Sequence, residues 1–262
     1  MGCRIQVGVE QTKMSMELTD REFWKNYWSA KPELFSQPIE RKSLFKDLFD
    51  QIIQKNNIKN AVEIGGFPGT FSALLQLEYD IPSDLVDYYI DDELIRQFKK
   101  TNGLKESDIQ SFEIDVFSDF KAEKQYDLVF SIGLIEHFED TKKIIEGHTP
   151  FLNDSGTLFL IIPNFRGING WIQRTFDMDN YSKHYIECMD PNYLKKLLNS
   201  FDTIETGYFG GFTIWLENYK DQNILTKILF KSIWLTGKLL YKVFGIKNRL
   251  FSPYIYAIGK LK

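Results

Sequence analysis

The chain has 262 residues, 43% of them hydrophobic and 26% charged, enough to bury one full core, and no low-complexity linker divides it. A formal net charge of -4 supplies no global attraction to nucleic acid, so no nucleic-acid partner is expected. Two cysteines, Cys3 and Cys188, are too few and too far apart for a disulfide framework or a zinc-ligand pair, and read as free thiols of a reducing cytoplasm.

Residues 1–20 form a polar lead-in without the apolar core of a secretion signal, and Gln6 stands where a myristoylation motif needs Ser or Thr. Met14 or Met16 is an alternative start. No run of 18 apolar residues occurs anywhere, so no membrane span is expected. From Asp20, a residue type suited to an N-cap, aromatic residues at 24, 27 and 28 follow helical spacing, and Pro32 closes the helix. Such a stripe reads as packing, so residues 1–42 are expected to be a lead-in with a helical addition. The main domain, 43–262, opens with an amphipathic helix over 43–55 whose apolar face carries Leu44, Phe45, Leu48, Phe49, Ile52 and Ile53.

Residues 61–64 read as a buried strand, 65–69 as a glycine-rich bend, and Thr70 onward as the first turn of a helix, whose free N–H groups suit an anionic ligand. The dinucleotide fingerprint G-x-G-x-x-G fails here, because Phe67 and Thr70 occupy its second and third glycine positions. The bend instead fits acid-x-Gly-x-x-x-Gly, with Glu63, Gly65 and Gly69.

Strand and helix signals then alternate, the pattern of a parallel sheet covered on both faces. Further strands are expected over 84–90, 111–116, 126–131 and 156–162, the last stopped by Pro163, with helices opening at Asp91 and over 141–151. His148 is expected to play a surface role at a helix end. Residues 165–189 lack strong periodicity and read as an insertion above the sheet, after which Asp190 and Pro191 start a helix. Late strands are expected over 202–215 and 252–259. Between them, 223–246 forms an amphipathic helix with a stripe of Lys227, Lys231, Lys238 and Lys242. It would pack on the sheet or a second subunit, or contact a membrane surface or lipid-linked substrate.

The 63–69 pattern resembles the first motif of class I S-adenosylmethionine-dependent methyltransferases, E/D-x-G-x-G-x-G, with Phe67 in place of the middle glycine. The order of elements over residues 40–261 is similar to that family's fold. The resemblance implies an α/β, Rossmann-like sheet of seven mostly parallel strands with helices on both faces and an antiparallel last strand. Residues 130–140 resemble the leucine-glutamate-histidine segment of small-molecule methyltransferases, including those of ubiquinone biosynthesis, with Ile135 replacing the leucine.

By that resemblance S-adenosylmethionine would be held by Glu63, Gly65, Gly66, Phe67 and Gly69. Asp91, or alternatively Asp87, would bind the ribose diol. Asp115 would meet the adenine amino group, with the Val116 N–H toward a ring nitrogen and Phe117 beside the ring. Ser131 and Gly133 would line the cofactor and Glu136 would face the substrate. His137 is the expected general base, ahead of His184. Some relatives bind a divalent metal through E-x-x-E-H, but Gly133 stands at the first glutamate position, so no metal is expected. Asn164, Arg174 and Tyr181 of the insertion would recognise polar groups of a small-molecule substrate. The expected activity is O-methylation of a small polar metabolite or sugar precursor. The alternatives are a non-catalytic cofactor-binding or membrane-associated scaffold, and a nicotinamide-dependent dehydrogenase, which the glycine spacing disfavours.

Overall fold

The computed structural model describes residues 18–41, 44–118 and 120–261. In chain order its elements are α1 (Arg21–Ser29), α2 (Lys46–Lys55), β1 (Ala61–Ile64), α3 (Thr70–Tyr79), β2 (Ser83–Asp87), α4 (Asp92–Thr101), β3 (Ser111–Glu113), β4 (Tyr126–Ile132), α5 (Thr141–Glu146), β5 (Leu152–Pro163), α6 (Ile168–Phe176), α7 (Met178–Ser182), α8 (Pro191–Leu197), β6 (Thr203–Phe209), α9 (Ile224–Phe244) and β7 (Tyr254–Lys260). Short 3-10 turns join several of them.

The strands form one seven-stranded sheet in the order β3-β2-β1-β4-β5-β7-β6. The first five pair in parallel, and β7 enters antiparallel between β5 and β6. Chain order reverses direction between β1 and β4, which opens a crevice beyond their carboxyl ends, where open α/β sheets bind ligands.

Alternation along the strands sorts the core into two layers. Val62, Ile64, Val129, Leu158 and Leu160 point to one face and pack with Ile144 and Ile145 of α5 and Leu194 of α8. Ala61, Leu128, Phe130 and Phe159 point to the other, against Leu48, Phe49 and Ile52 of α2 and Leu74 and Leu75 of α3. Burial on both faces explains why these strands read as continuous apolar runs.

Several expected boundaries shift. β2 stops at Asp87 and β3 at Glu113, leaving their final expected residues as loop over the crevice. β6 ends at Phe209 because Gly210 takes a φ of 88°, which turns residues 210–216 away from the sheet. The helix expected over 141–151 ends at Glu146 and continues as a 3-10 turn, Thr149–Phe151. The insertion folds into α6 and α7. Cys3, Met14, Met16 and Ser43 lie outside the described residues. Cys188 is a buried free thiol whose pKa burial pushes up. Among the described residues no helix is long and apolar enough to cross a membrane.

Candidate active site

The carboxyl ends of β1, β2 and β4, with the loop after β3, meet at one cleft, lined by Gly65, Asp87, Tyr88, Asp115, Val116, Phe117, Gly133 and Leu134. Gly65 and Gly133 take φ of 67° and 76°, a region that side-chain-bearing residues rarely adopt, so the chain turns sharply at the cleft wall. Asp87 ends β2 with Oδ2 accepting from the Phe67 N–H at 2.9 Å and Oδ1 from the Tyr89 N–H at 3.1 Å. Burial pushes its pKa up to about 6, against these donors, which favour the charged form. Asp115 accepts from the Phe117 N–H at 2.9 Å.

Thr19, Trp24 and Trp28 close the cleft from the N-terminal side. About 60 Å³ is left inside, whereas small-molecule sites usually offer ~300 Å³ or more. A nucleoside therefore enters only if α1 shifts. The spacing of the α1 aromatics predicts packing. Trp28 does pack, against Phe35 and Phe67, but its presence in the cleft wall depends on the placement of α1 over the strand ends.

Gly65, Asp115, Val116 and Gly133 line the cleft, while six other residues proposed for the cofactor do not. Glu63 alternates to the α3 side of β1 and accepts from the Ser72 N–H at 2.8 Å, buried beneath the glycine bend. Burial raises its pKa to about 8. A Cβ on Gly66 would collide with the Glu63 carboxylate, so Gly66 is needed for this close approach. The Phe67 ring turns into the core beside Phe35, which is how the bend accommodates a large residue at the middle position. Gly69, at φ 92°, caps α3. Asp91 caps α4 instead of ending a strand, accepting from the N–H groups of Glu93 and Leu94, both at 3.0 Å. Ser131 lies in the core, 3.0 Å from Nε2 of His148. His148 is itself fully buried, contrary to its expected surface place, with Nδ1 2.7 Å from the Ile144 carbonyl and its pKa lowered to about 4 by desolvation.

Glu136 and His137, neighbours in sequence, come together with the distant His184, with one potential ligand atom each within 4.8 Å of one another. The two imidazoles lie 4.8 Å apart between centroids. Nδ1 of His137 is 2.8 Å from the Lys183 carbonyl, and Nδ1 of His184 is 2.8 Å from the Asn180 carbonyl. A carbonyl only accepts, so each Nδ1 carries the proton and each Nε2 keeps a lone pair. Desolvation, then the neighbouring His184, lowers the His137 pKa to about 3, and desolvation lowers that of His184. Glu136 is buried with no hydrogen-bond partner at Oε2, and burial raises its pKa to about 8. The two Nε2 lone pairs can accept from a hydroxyl, and the protonated Glu136 carboxyl can donate or accept a hydrogen bond beside them. They can also ligate a divalent cation if the cluster contracts, since metal–ligand bonds of about 2.1 Å hold ligand atoms closer than this span.

In the insertion, Arg174 and Tyr181 line a second cleft of about 240 Å³ together with Arg166 and Arg249. Arg166 is paired with Asp190 at 3.2 Å. Phe165 joins this cleft to the cluster, with its ring centroid 4.8 Å from that of His184 and 6.3 Å from that of Tyr181. Asn164 is not part of it. Its side-chain amide is buried and donates to the carbonyls of Arg249 at 2.8 Å and Ser252 at 2.7 Å, pinning the start of the insertion.

No protein-family profile and no curated protein sequence matches the chain. Solved structures do match in shape. A SAM-dependent methyltransferase from Archaeoglobus fulgidus is 19% identical, with 89% of this chain and 99% of that one covered at a TM-score of 0.54. The plantazolicin methyltransferase BpumL, solved with SAH, is 15% identical over 93% of this chain and 92% of its own, also at 0.54. The methyltransferase domain of a bacterial CtHen1 is 13% identical over 85% of this chain and 100% of its own, at 0.55. The seven-stranded sheet described above, with its antiparallel β7, is the fold of S-adenosylmethionine-dependent methyltransferases.

Proposed function

We propose that the chain binds S-adenosylmethionine in the cleft at the strand ends and transfers its methyl group to an oxygen of a small polar acceptor. The observation that carries this reading is the juxtaposition of Gly65, Asp87, Asp115 and Gly133 around one cleft, each from a different β-strand end or the loop after it. Asp87 lines the cleft and has the carboxylate for the ribose hydroxyls, and it takes over the role first given to Asp91, which caps α4 through Oδ1 and does not line the cleft. Asp115 and the Val116 N–H suit the edge of an adenine, and Phe117 its face. Glu63 is a positioning residue that ties the glycine bend to α3. Bound S-adenosylmethionine supplies an electrophilic methyl on a sulfonium, so the chain's own work is alignment and exclusion of water.

The acceptor hydroxyl would give its proton to Nε2 of His137 once the shift of α1 lifts Trp24 off the ring and relieves the desolvation that holds the pKa of this imidazole at about 3, with His184 and Glu136 completing the pocket. The guanidinium groups of Arg174 and Arg249 suit a carboxylate or phosphate elsewhere on the acceptor, which favours an anionic sugar or sugar precursor over a neutral one. Calorimetry with S-adenosylhomocysteine is the direct test. Binding there, with turnover on a panel of hydroxylated acids and sugar phosphates, is the expected result. Binding of a nicotinamide dinucleotide in its place would make the chain a dehydrogenase, and cofactor binding without turnover on any acceptor would make it a scaffold.

A further inference from the structure

The side of α9 that faces away from the domain is apolar. Ile224, Leu225, Ile228, Leu235, Leu239 and Val243 are each between 52% and 75% exposed. At about 100° per residue they fall on one broad face. The opposite face is the one that packs: Phe230 and Gly237 are buried, Phe230 against Ile172 of α6 and Leu216. Gly237 gives room to the Phe212 ring, with which a Cβ there would collide. The only hydroxyls within the apolar arc, on Ser232 and Thr236, donate to the carbonyls of Ile228 and Ser232, both at 2.9 Å. That face therefore carries no side-chain donor in need of water, a property required of a surface that leaves water and of little use to one that stays in it.

Charge identifies what covers it. All 36 acidic residues of the chain lie within residues 1–221, while residues 222–262 hold eight Lys and Arg and no Asp or Glu. Lys227, Lys231, Lys238 and Lys242 recur along one border of the apolar arc, and Lys238 lies over the Trp234 ring at 4.2 Å, its stem against an apolar surface. Lys227 reaches back to the Lys220 carbonyl at 2.7 Å. A second copy of this face would bring more lysines and no carboxylate, so the face does not complement itself. An apolar strip bordered by lysines does complement a bilayer surface, whose acyl region takes the strip and whose anionic headgroups take the ammonium groups. The helix does not cross a membrane, so it would lie in the plane of one.

We propose that α9 docks the chain on the surface of an anionic lipid bilayer. This does not depend on the reaction carried out in the cleft. The test is cosedimentation of the full chain with vesicles of phosphatidylcholine alone and of phosphatidylcholine mixed with phosphatidylglycerol. Binding is expected to the mixed vesicles, weakened by salt as screening requires. Lys231→Gln, Lys238→Gln and Lys242→Gln should each weaken it about fivefold, the factor for one juxtamembrane lysine. Leu235→Ser with Leu239→Ser should abolish it. Circular dichroism and melting temperature establish that these surface variants fold. Failure to bind either vesicle, or binding that survives the leucine changes, would overturn the proposal. So would a dimer in analytical ultracentrifugation that the leucine changes convert to monomer, which would assign the face to a second copy.

Discussion

Trp24 meets the His137 ring edge-on, with centroids 5.2 Å apart and planes at 88°, and at the same time forms part of the wall of the cleft at the strand ends. The backbone reinforces this contact, because the Leu18 N–H donates to the His137 carbonyl at 2.9 Å. The N-terminal segment is therefore fastened to the candidate catalytic cluster while covering the cleft. A ligand entering the cleft must displace Trp24 or Trp28, so binding of S-adenosylhomocysteine should change the tryptophan fluorescence. Trp24→Ala should speed association, because the plug is gone. The gain should be roughly tenfold or more, since unpacking a large side chain costs about 1.5–3 kcal/mol. Stopped-flow rates equal to those of the wild type would show that α1 does not gate the cleft.

Asp87 and Asp91 separate binding from stability. Asp87→Asn should weaken S-adenosylhomocysteine binding by roughly tenfold to a hundredfold, the loss of a hydrogen bond to a charged group. Asp91→Ala should leave that affinity unchanged and cost about 1 kcal/mol of folding stability, as removal of an N-cap does. Calorimetry and denaturant titration of both variants check this, and the opposite assignment follows if the effects are exchanged.

Glu63 gives a pH signature. Its folded pKa of about 8 lies above its ordinary 4.5, so the folded state holds a proton that the unfolded state has released between those values. The stabilisation is complete below about pH 4.5 and is lost as pH rises toward 8. Glu136, with the same shift, adds to the slope. His137 and His148 act the other way, but only below their ordinary value of 6.5. Between pH 6.5 and 8 the carboxyl groups are therefore left to dominate this balance. Glu63→Gln, which keeps an acceptor for the Ser72 N–H, should flatten the loss there by up to about 1.4 kcal/mol per pH unit, one proton's worth. Urea titrations at three pH values in that range measure it, and an unchanged slope would mean that Glu63 is ionised in the folded chain.

For the cluster, His137→Ala should lower turnover by roughly a hundredfold or more while leaving cofactor affinity intact, because general-base contributions run about 10² to 10⁴. His184→Ala should have a smaller effect, since its Nε2 supports the pocket without being the first acceptor. As proton acceptors, neither residue needs a metal, so turnover should be indifferent to EDTA. A requirement for a divalent cation would instead make Glu136, His137 and His184 its ligands.

Much of the fold was legible because its signals are local. Val62, Ile64, Val129 and Leu158 lie in short apolar runs, and such runs punctuated by glycine and capping acids specify a doubly covered parallel sheet whatever the rest of the chain does. The glycine bend after β1, the cap at Asp190 and the amphipathic period of α9 belong to the same class. What the tertiary structure decided is which side each polar group faces and what distant segment meets it. Asp87 and Asp91 are both acids near the end of one strand, and only the point where β2 gives way to α4 makes one a cleft residue and the other a cap. Glu63 reads as a ligand residue until the alternation of β1, placed beside α3, sends its carboxylate under the bend. His137 and His184, 47 positions apart, become a pair because α7 folds the insertion back over the end of β4, a long-range closure that no local pattern encodes.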